Sequence, residues 1–405
     1  MTRDNPWTSA VVPFVVAVAI LARLAAMFPA SGRFDDPDNY LPLAASLAAG
    51  EGLSHKGRPT AYRPPLYPLL LAPLLRVSPS GETPTTGIAL LHLGLGAGTA
   101  WCVVLAARRL GASEFRGLAA GLIVALDPVL VWQSRYVMTE TPAAFLTAAA
   151  LATAAAGGFR SAGGAGLLLG LAGLCRPSAL PGAGLVALAA AIVPPGDRNE
   201  RVKRAAVLGF AVVIVLSPWA VRNRIALGEF VWTTTHGGYT LALANNEVYY
   251  RDVLDGPPGR VWTGRDQWAW WDSVNRRTAG MPEPVADRFM RDEAIDLARR
   301  QPVAFARACL SRLETFWSPT PAAGVYSTRV RAVTLAWTLP LFTAFAIGLA
   351  SPTFRRWPGI VAPCLILGLT IVHAFYWTDL RMRAPIVPAI ALVAAFASFP
   401  WRRGS

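Results

Sequence analysis

Long apolar runs recur along almost the whole of this chain, and a soluble domain has no use for so many. Those at 8–28, 85–107, 330–350, 358–377 and 384–401 approach the about 20 apolar residues that a helix needs to cross a ~30 Å hydrocarbon layer. Those at 117–131, 142–157, 162–174, 178–193 and 205–221 are shorter and can cross only with neighbours to shield them. Only 15% of the residues are charged and 54% are hydrophobic, against roughly a quarter charged in an ordinary soluble domain. The expectation is an all-α polytopic membrane protein of about ten transmembrane helices. The first run has a basic start but is too long for a typical signal peptide, so it reads as an uncleaved anchor.

Short connectors set the orientation, because Lys and Arg are retained on the cytoplasmic side. A cytoplasmic N-terminus places Arg108, Arg109, Arg116, Arg160, Arg198, Arg201, Lys203, Arg204, Arg355, Arg356, Arg402 and Arg403 inside. It leaves Arg135, Arg381 and Arg383 in the short outer connectors, with two long outer loops at about 29–84 and 222–329. The chain then forms one membrane-embedded domain over 1–405, facing outward from a bacterial cytoplasmic membrane. Its net charge of +14 is explained in part by this topology, and no nucleic-acid motif accompanies it. The outer share suits anionic lipid headgroups or a phosphate-bearing ligand equally well. The four cysteines show no CxxC spacing and read as core residues.

The outer loops are not plain linkers. After Asp38, a suitable N-cap, Tyr40, Leu43, Ala44 and Leu47 follow helical spacing and Gly50 supplies a stop, so a short amphipathic helix lies at the membrane surface. The run from Arg63 is apolar but carries Pro64, Pro65, Pro68 and Pro73, so it lies in the interface and does not span. Trp262, Trp268, Trp270 and Trp271 cluster in the second loop, where they suit interfacial anchoring or stacking on sugars. Phe305, Cys309, Leu313 and Phe316 mark one face of a helix leading to the next span.

Three carboxylates, Asp35, Asp36 and Asp38, crowd into four positions at the start of the first outer loop. One could cap a helix, but mutual repulsion among three asks for a cation, an Arg or a shared proton. They could coordinate Mg²⁺ or Mn²⁺, or include a general base. Glu140 opens a span in the next outer loop, where it suits the helix dipole or a shared site with the first cluster. Arg176 interrupts an apolar stretch and needs an acidic or phosphate partner. Arg222, Arg224, Arg381 and Arg383 border the outer face, where forked hydrogen bonds could hold a phosphate, or their side chains could simply snorkel. His373 lies near the outer end of its helix.

Seven segments in order, DPDNYLPLAASLAAGEGL, AYRPPLYPLLLAPLL, TETPAAFL, GLAGLCRPSALP, LSPWAVRNRIALGEF, GGYTLALANNE and HAFYWTDLRMRAPIVPAIAL, resemble the polytopic glycosyltransferases of the GT-C class. The likeness is to the bacterial family 39 type, related to protein O-mannosyltransferases and the lipid A aminoarabinose transferase. It implies transfer of a sugar from a polyprenyl-phosphate carrier to a hydroxyl at the outer face, with inversion and no required cofactor. In such enzymes an Asp stands four residues before an aromatic residue of the first outer loop. Asp36, counted back from Tyr40, matches it and is the implied general base; Glu140 matches the acidic residue of the second loop. Arg63, Arg176, Arg222, Asn223, Asn245, Asn246, His373, Arg381 and Arg383 match positions near the donor phosphate. Where eukaryotic-type protein O-mannosyltransferases have an adjacent Asp-Glu pair, this chain has Asp36-Pro37-Asp38. That departure puts a protein acceptor in doubt and leaves Asp38 as cap or second functional carboxylate. A transporter or flippase for a lipid-linked saccharide is the alternative, and it would need charges paired deep within several helices; Arg23, His92 and Asp127 are scattered. A metal-dependent lipid phosphatase would need clustered His and Asp, and the chain has four histidines.

Overall fold

The computed structural model describes residues 10–27, 34–78, 83–256, 262 and 265–398. Helix α1 (Val11–Met27) leads to the surface helix α2 (Tyr40–Ala48), a hairpin of two-residue strands β1 (Ser54–His55) and β2 (Arg58–Pro59), and α3 (Leu66–Val77). A first bundle follows: α4 (Thr85–Arg109), α5 (Glu114–Leu126), α6 (Pro128–Gln133), α7 (Glu140–Ala155), α8 (Gly158–Cys175), α9 (Leu180–Ile192) and α10 (Arg198–Leu227). Next come α11 (Gly237–Ala244), α12 (Glu247–Tyr249), α13 (Arg265–Thr278), α14 (Glu283–Arg300) and α15 (Pro302–Phe316). The last three, α16 (Thr328–Gly348), α17 (Val361–Phe375) and α18 (Val387–Ala394), return to the bundle.

Helices stand at all ten places where the sequence led us to expect spans. Among the described residues, α4, α8, α10 and α16 are long and apolar enough to cross a membrane by themselves; α1, α17 and the segment 177–192 are shorter. The chain is a polytopic membrane protein. The expected span at 117–131 is broken, because Asp127 accepts from the backbone N–H groups of Val129 and Leu130 at 3.0 Å and starts a new helix at Pro128. At 384–401, a tight turn over Leu380–Ile386 delays the helix to Val387. Residues 8, 9 and 28 of the first span, 399–401 of the last, and Arg402 and Arg403 lie outside the described residues.

Small residues set the bundle's seams. A Cβ on Gly166 of α8 would stand 2.4 Å from the Leu208 carbonyl of α10, and one on Gly368 of α17 would stand 2.3 Å from the backbone of Gly182 in α9. Close backbone approach of this kind is how helices associate where lipid removes the usual hydrophobic drive. Phe210, Ile214, Val333 and Leu339 stay exposed on α10 and α16, as lipid-facing positions should. The buried polar groups scattered in the sequence are each tied to their surroundings. Arg23 donates to the carbonyls of Ala19 and Ala125, and His92 sits between the Tyr67 hydroxyl and the Ser134 carbonyl, 2.7 Å from each.

The chain enters α7 and leaves α8, α10 and α17 at one end of the bundle, and α2, α3 and α11–α15 gather there. Arg108, Arg109, Arg160, Arg198, Arg201, Lys203 and Arg204 sit at the other ends of α4, α8 and α10. Helix α3 has only 12 residues, roughly 18 Å at 1.5 Å per residue, so it does not cross. On α15 the buried side chains are Ala308, Arg312 and Phe316; of the expected stripe Phe316 is buried, whereas Phe305, Cys309 and Leu313 are partly buried and the inner face is shifted by one position over that part of the helix. The reason is Arg312, which turns inward to donate to the Ala244 and Ala374 carbonyls at 2.6 and 2.8 Å.

Candidate active site

A single backbone contact brings the first two acidic segments together. The N–H of Val137 donates to the Asp35 carbonyl at 2.9 Å in a parallel bridge between Asp35 and Tyr136. Residues 36–38 thereby lie beside 138–140.

The two carboxylates after Asp35 divide their contacts in the opposite sense from the expectation that Asp38 caps the surface helix. Asp36 caps α2, its Oδ1 accepting from the N–H of Tyr40 at 2.8 Å and its Oδ2 from that of Leu41 at 2.7 Å. Asn39 supplies the turn by adopting a left-handed conformation, φ 58°, that Asn tolerates better than most residues. Burial raises the Asp36 carboxyl above its ordinary range, an effect opposed by the two N–H donors and reinforced by the negative charge of Asp38. Asp38 instead pairs with Arg63: Nη2 reaches Oδ1 at 3.0 Å and Nε donates to the Asp38 carbonyl at 3.1 Å. The three aspartates do not converge as a ligand set, and among the described residues no group of three or more His, Cys, Asp or Glu side chains is placed to hold a metal ion.

Asp38, not Asp36, lines a cavity of about 880 Å³, together with Arg63, Glu140, Arg176, His373 and Arg381. Glu140 opens α7 with a side chain only 1% exposed, 2.9 Å from Arg176 Nη1 and 3.9 Å from Arg381 Nη1. Arg176 follows the last turn of α8 in an extended conformation and also donates to the Thr139 hydroxyl at 3.1 Å. Arg381 is held by Asp379, which caps the turn at 380–386 through the Arg381 N–H and accepts from Nε at 3.0 Å. Each cavity arginine thus faces a carboxylate, in the pairs Arg63 with Asp38, Arg176 with Glu140, and Arg381 with Asp379. His373 stacks on Phe316 with centroids 5.1 Å apart and directs Nδ1 to the Trp377 carbonyl at 3.3 Å.

Five residues expected at the donor phosphate do not line the cavity. Arg222 donates to the carbonyls of Thr60 at 2.9 Å and Leu53 at 2.6 Å, holding the β1–β2 hairpin to the end of α10. Asn223 holds the Val231 carbonyl at 2.8 Å. Asn245 bonds to the carbonyls of Leu241 and Phe375 and accepts from Arg312. Asn246 caps α12 by accepting from the Tyr249 N–H. Arg383 donates to the carbonyls of Phe316 at 2.7 Å and Ser318 at 3.1 Å, under the ring of Phe342. All five are fixers of irregular backbone beside the cavity, a duty that polar side chains near buried carbonyls commonly take.

The opposite wall is built from residues that were not among the expected site residues. Tyr62, His236 and Tyr239 line the cavity, with Tyr62 and His236 4.3 Å apart and His236 and Tyr239 5.0 Å apart. The HGGYT run carries the signal: a Cβ on Gly238 would lie 1.8 Å from the Asp287 carbonyl, so only glycine lets α11 approach α14 here. Burial and then the charge of Arg63 hold the His236 imidazole well below its ordinary range. The unfolded chain takes up a proton there sooner than the native one, so this contribution to stability is present above the ordinary imidazole range and is lost as pH falls from it. Thermal scans from about pH 7 to 5 should show a destabilisation that His236→Gln reduces.

Glu283, at the start of α14, joins the two segments that carry this wall. It accepts from the Thr60 hydroxyl at 2.6 Å, the Ala61 N–H at 2.8 Å and the Thr235 hydroxyl. Glu283→Ala should cost on the order of 2 kcal/mol, read as a lowered Tm and faster proteolysis near residues 60 and 235.

Residues 77–174, which run from the end of α3 to the end of α8 and include Glu140, match the family model described as dolichyl-phosphate-mannose-protein mannosyltransferase. Among solved structures the chain is similar to the archaeal oligosaccharyltransferase AglB from Archaeoglobus fulgidus in complex with an inhibitory peptide and a dolichol-phosphate. The TM-score is 0.57 at 15% identity, over 97% of this chain and 50% of that one. A crystal structure of the Archaeoglobus fulgidus oligosaccharyltransferase tethered with an acceptor peptide gives 0.56 at 16% identity, over 96% and 49%. A looser likeness, TM-score 0.45 at 13% identity over 95% of this chain and 77% of that one, is to ArnT from Cupriavidus metallidurans bound to undecaprenyl phosphate. No curated protein matches the chain. The fold is that of the GT-C polytopic glycosyltransferases, and the chain spans about half the length of the archaeal enzyme.

Proposed function

We propose that the cavity transfers a glycosyl group from a polyprenyl-phosphate carrier to a hydroxyl acceptor, at the outer face of a bacterial cytoplasmic membrane. The observation that carries this reading is the union in one cavity of an accessible carboxylate, Asp38, with a membrane-end group of Arg176, Glu140 and Arg381. The acceptor oxygen attacks the anomeric carbon and its proton passes to Asp38. The bond from that carbon to the phosphate oxygen breaks, and the electron pair leaves with the polyprenyl phosphate. Attack opposite the leaving group inverts the anomeric centre. Arg176 and Arg381 stabilise the charge developing on the departing phosphate, the kind of preorganised interaction that dominates many enzyme barriers. Glu140 holds Arg176 in place, and Asp379 holds Arg381.

Asp38 receives the base role because its carboxylate opens on the cavity, whereas both oxygens of Asp36 are engaged by α2. A second reading keeps Asp36 as base, and its raised carboxyl range favours that. The donor phosphate is itself the activated leaving group, so the scheme needs no cofactor and its rate should survive chelation of divalent cations.

The rival is translocation of a lipid-linked saccharide without cleavage. Arg23 and Asp127, the charges that such a path would need, are engaged in holding helix ends and carbonyls. Purified protein in lipid nanodiscs, given a polyprenyl-phosphate sugar and a mixed acceptor pool, should release free polyprenyl phosphate in an acceptor-dependent manner. An intact donor throughout would favour the transporter.

A further inference from the structure

We infer that the acceptor is a saccharide, one ring of which stacks on an aromatic wall formed by Tyr62, Tyr239, Trp268 and Trp271. This deepens the proposed transferase reading and rests on it for the word acceptor, though not for binding. The four tryptophans of the second loop separate into two kinds. Trp262 is buried, with ring centroids 5.4 Å from both Tyr249 and Trp270, and so belongs to the local core with Trp270. Trp268 and Trp271 line the cavity instead. Trp271 meets Tyr239 edge to face at 4.6 Å, Tyr239 continues to His236 and His236 to Tyr62, and Arg63 lies 5.4 Å over the Tyr62 ring. A continuous row of rings therefore runs from the Asp38–Arg63 pair to Trp271, and Trp268, 65% exposed, lines the same cavity.

The chemistry of that row selects among acceptor classes. A sugar ring has one face of C–H groups, apolar and slightly positive, which settles on the negative face of an aromatic ring, while its hydroxyls turn edgewise to polar groups such as Asp38 and Arg63. Strand-edge pairing, one common way of holding a peptide through its backbone, has little to build on, since among the described residues the only strands are the two-residue pair β1 and β2. Anchoring to headgroups places tryptophans around the perimeter of a membrane protein, whereas Trp268 and Trp271 face a cavity shared with Glu140 and Arg176. The row is also held in place before any ligand arrives, by Glu283 on the segments next to Tyr62 and His236 and by Asp287, which accepts from the Gly238 N–H at 2.6 Å. Preorganisation of this kind suits a weakly held, ring-shaped ligand.

The test is a binding measurement that contains no donor. The whole protein in nanodiscs is titrated with a mixture of neutral α- and β-linked di- to tetrasaccharides, and separately with Ser/Thr-containing peptides, read by saturation-transfer NMR and tryptophan fluorescence. Saccharides should bind, and Trp268→Ala and Trp271→Ala should each weaken that binding at least fivefold. Trp271→Phe should recover part of the loss, and Trp101→Ala, on a distant exposed face of α4, should behave as wild type. Trp268 is exposed, so its variant should fold normally and keep the test valid if Trp271→Ala does not fold. The inference is overturned if the saccharides do not bind, if binding ignores both variants, or if the peptides bind through these rings and the saccharides do not. Saccharide binding without donor cleavage would instead refute the transferase reading alone.

Discussion

Asp38→Asn should lower glycosyl transfer by about 10²- to 10⁴-fold, the range that general-base catalysis contributes, with little loss of folded protein. Asparagine keeps the size of the side chain and a donor or acceptor for Arg63, but it cannot take the acceptor's proton. Arg63 loses its charged partner, so a modest fall in Tm is expected from this partly buried pair, whose side chains are 18% and 26% exposed, on the order of 1 kcal/mol. Asp36→Asn should behave differently. One oxygen of the cap remains and one hydrogen bond to α2 is lost, which costs about 1 kcal/mol. The rate should fall only as far as the loop shifts. Steady-state transfer and thermal unfolding of both variants check the assignment; if Asp36→Asn is the inactive one and Asp38→Asn turns over normally, Asp36 is the base.

Glu140→Ala should be the most destabilising single change in the site. The carboxylate is almost fully enclosed and faces Arg176 at 2.9 Å, so its removal leaves a guanidinium, itself only 14% exposed, without its countercharge. Breaking one partner of such a pair costs about 3–5 kcal/mol, whereas replacing both partners by apolar residues of similar volume is often neutral. Glu140→Ala should therefore unfold at a distinctly lower temperature, and Glu140→Leu with Arg176→Met should recover much of the loss. Both variants should transfer sugar far more slowly, because the leaving phosphate has lost one of its two cations, Arg176, in the double variant and that cation has lost its position in the single one. A double variant as unstable as the single would show that the ion pair is not the cause.

Those two predictions also mark what was readable in the sequence and what was not. Apolar runs located a helix at each expected span, because the bilayer length requirement acts on each such segment. The resemblance to GT-C enzymes agrees with the fold that the structure adopts. The clustering of Asp38, Arg63, Glu140, Arg176, His373 and Arg381 around one cavity also fits the idea that acidic and basic groups of separate loops meet.

Less legible was which of two nearby aspartates faces the cavity. Spacing alone made Asp38 the cap, but Asn39 takes a left-handed turn and points Asp36 back at the first N–H groups of α2. Five polar residues near the site in sequence, Arg222, Asn223, Asn245, Asn246 and Arg383, look like ligand contacts until the backbone carbonyls that they hold can be seen. Helix ends and short turns buried in a membrane protein leave many such carbonyls, and each needs a donor. The aromatic wall was hidden for another reason: Tyr62 and Tyr239 are 177 residues apart and meet only because Glu283 ties their segments together.

The most direct measurement is a single-turnover reaction of the nanodisc-embedded protein with an excess of acceptor and a polyprenyl-phosphate sugar of defined anomeric configuration, following carrier and product by mass spectrometry and NMR. The account predicts one free polyprenyl phosphate for each new glycoside, inverted configuration at the anomeric carbon, and product formation slowed by about 10²- to 10⁴-fold in Asp38→Asn. Retained configuration, or normal turnover when both Asp36 and Asp38 are replaced by Asn, would contradict it.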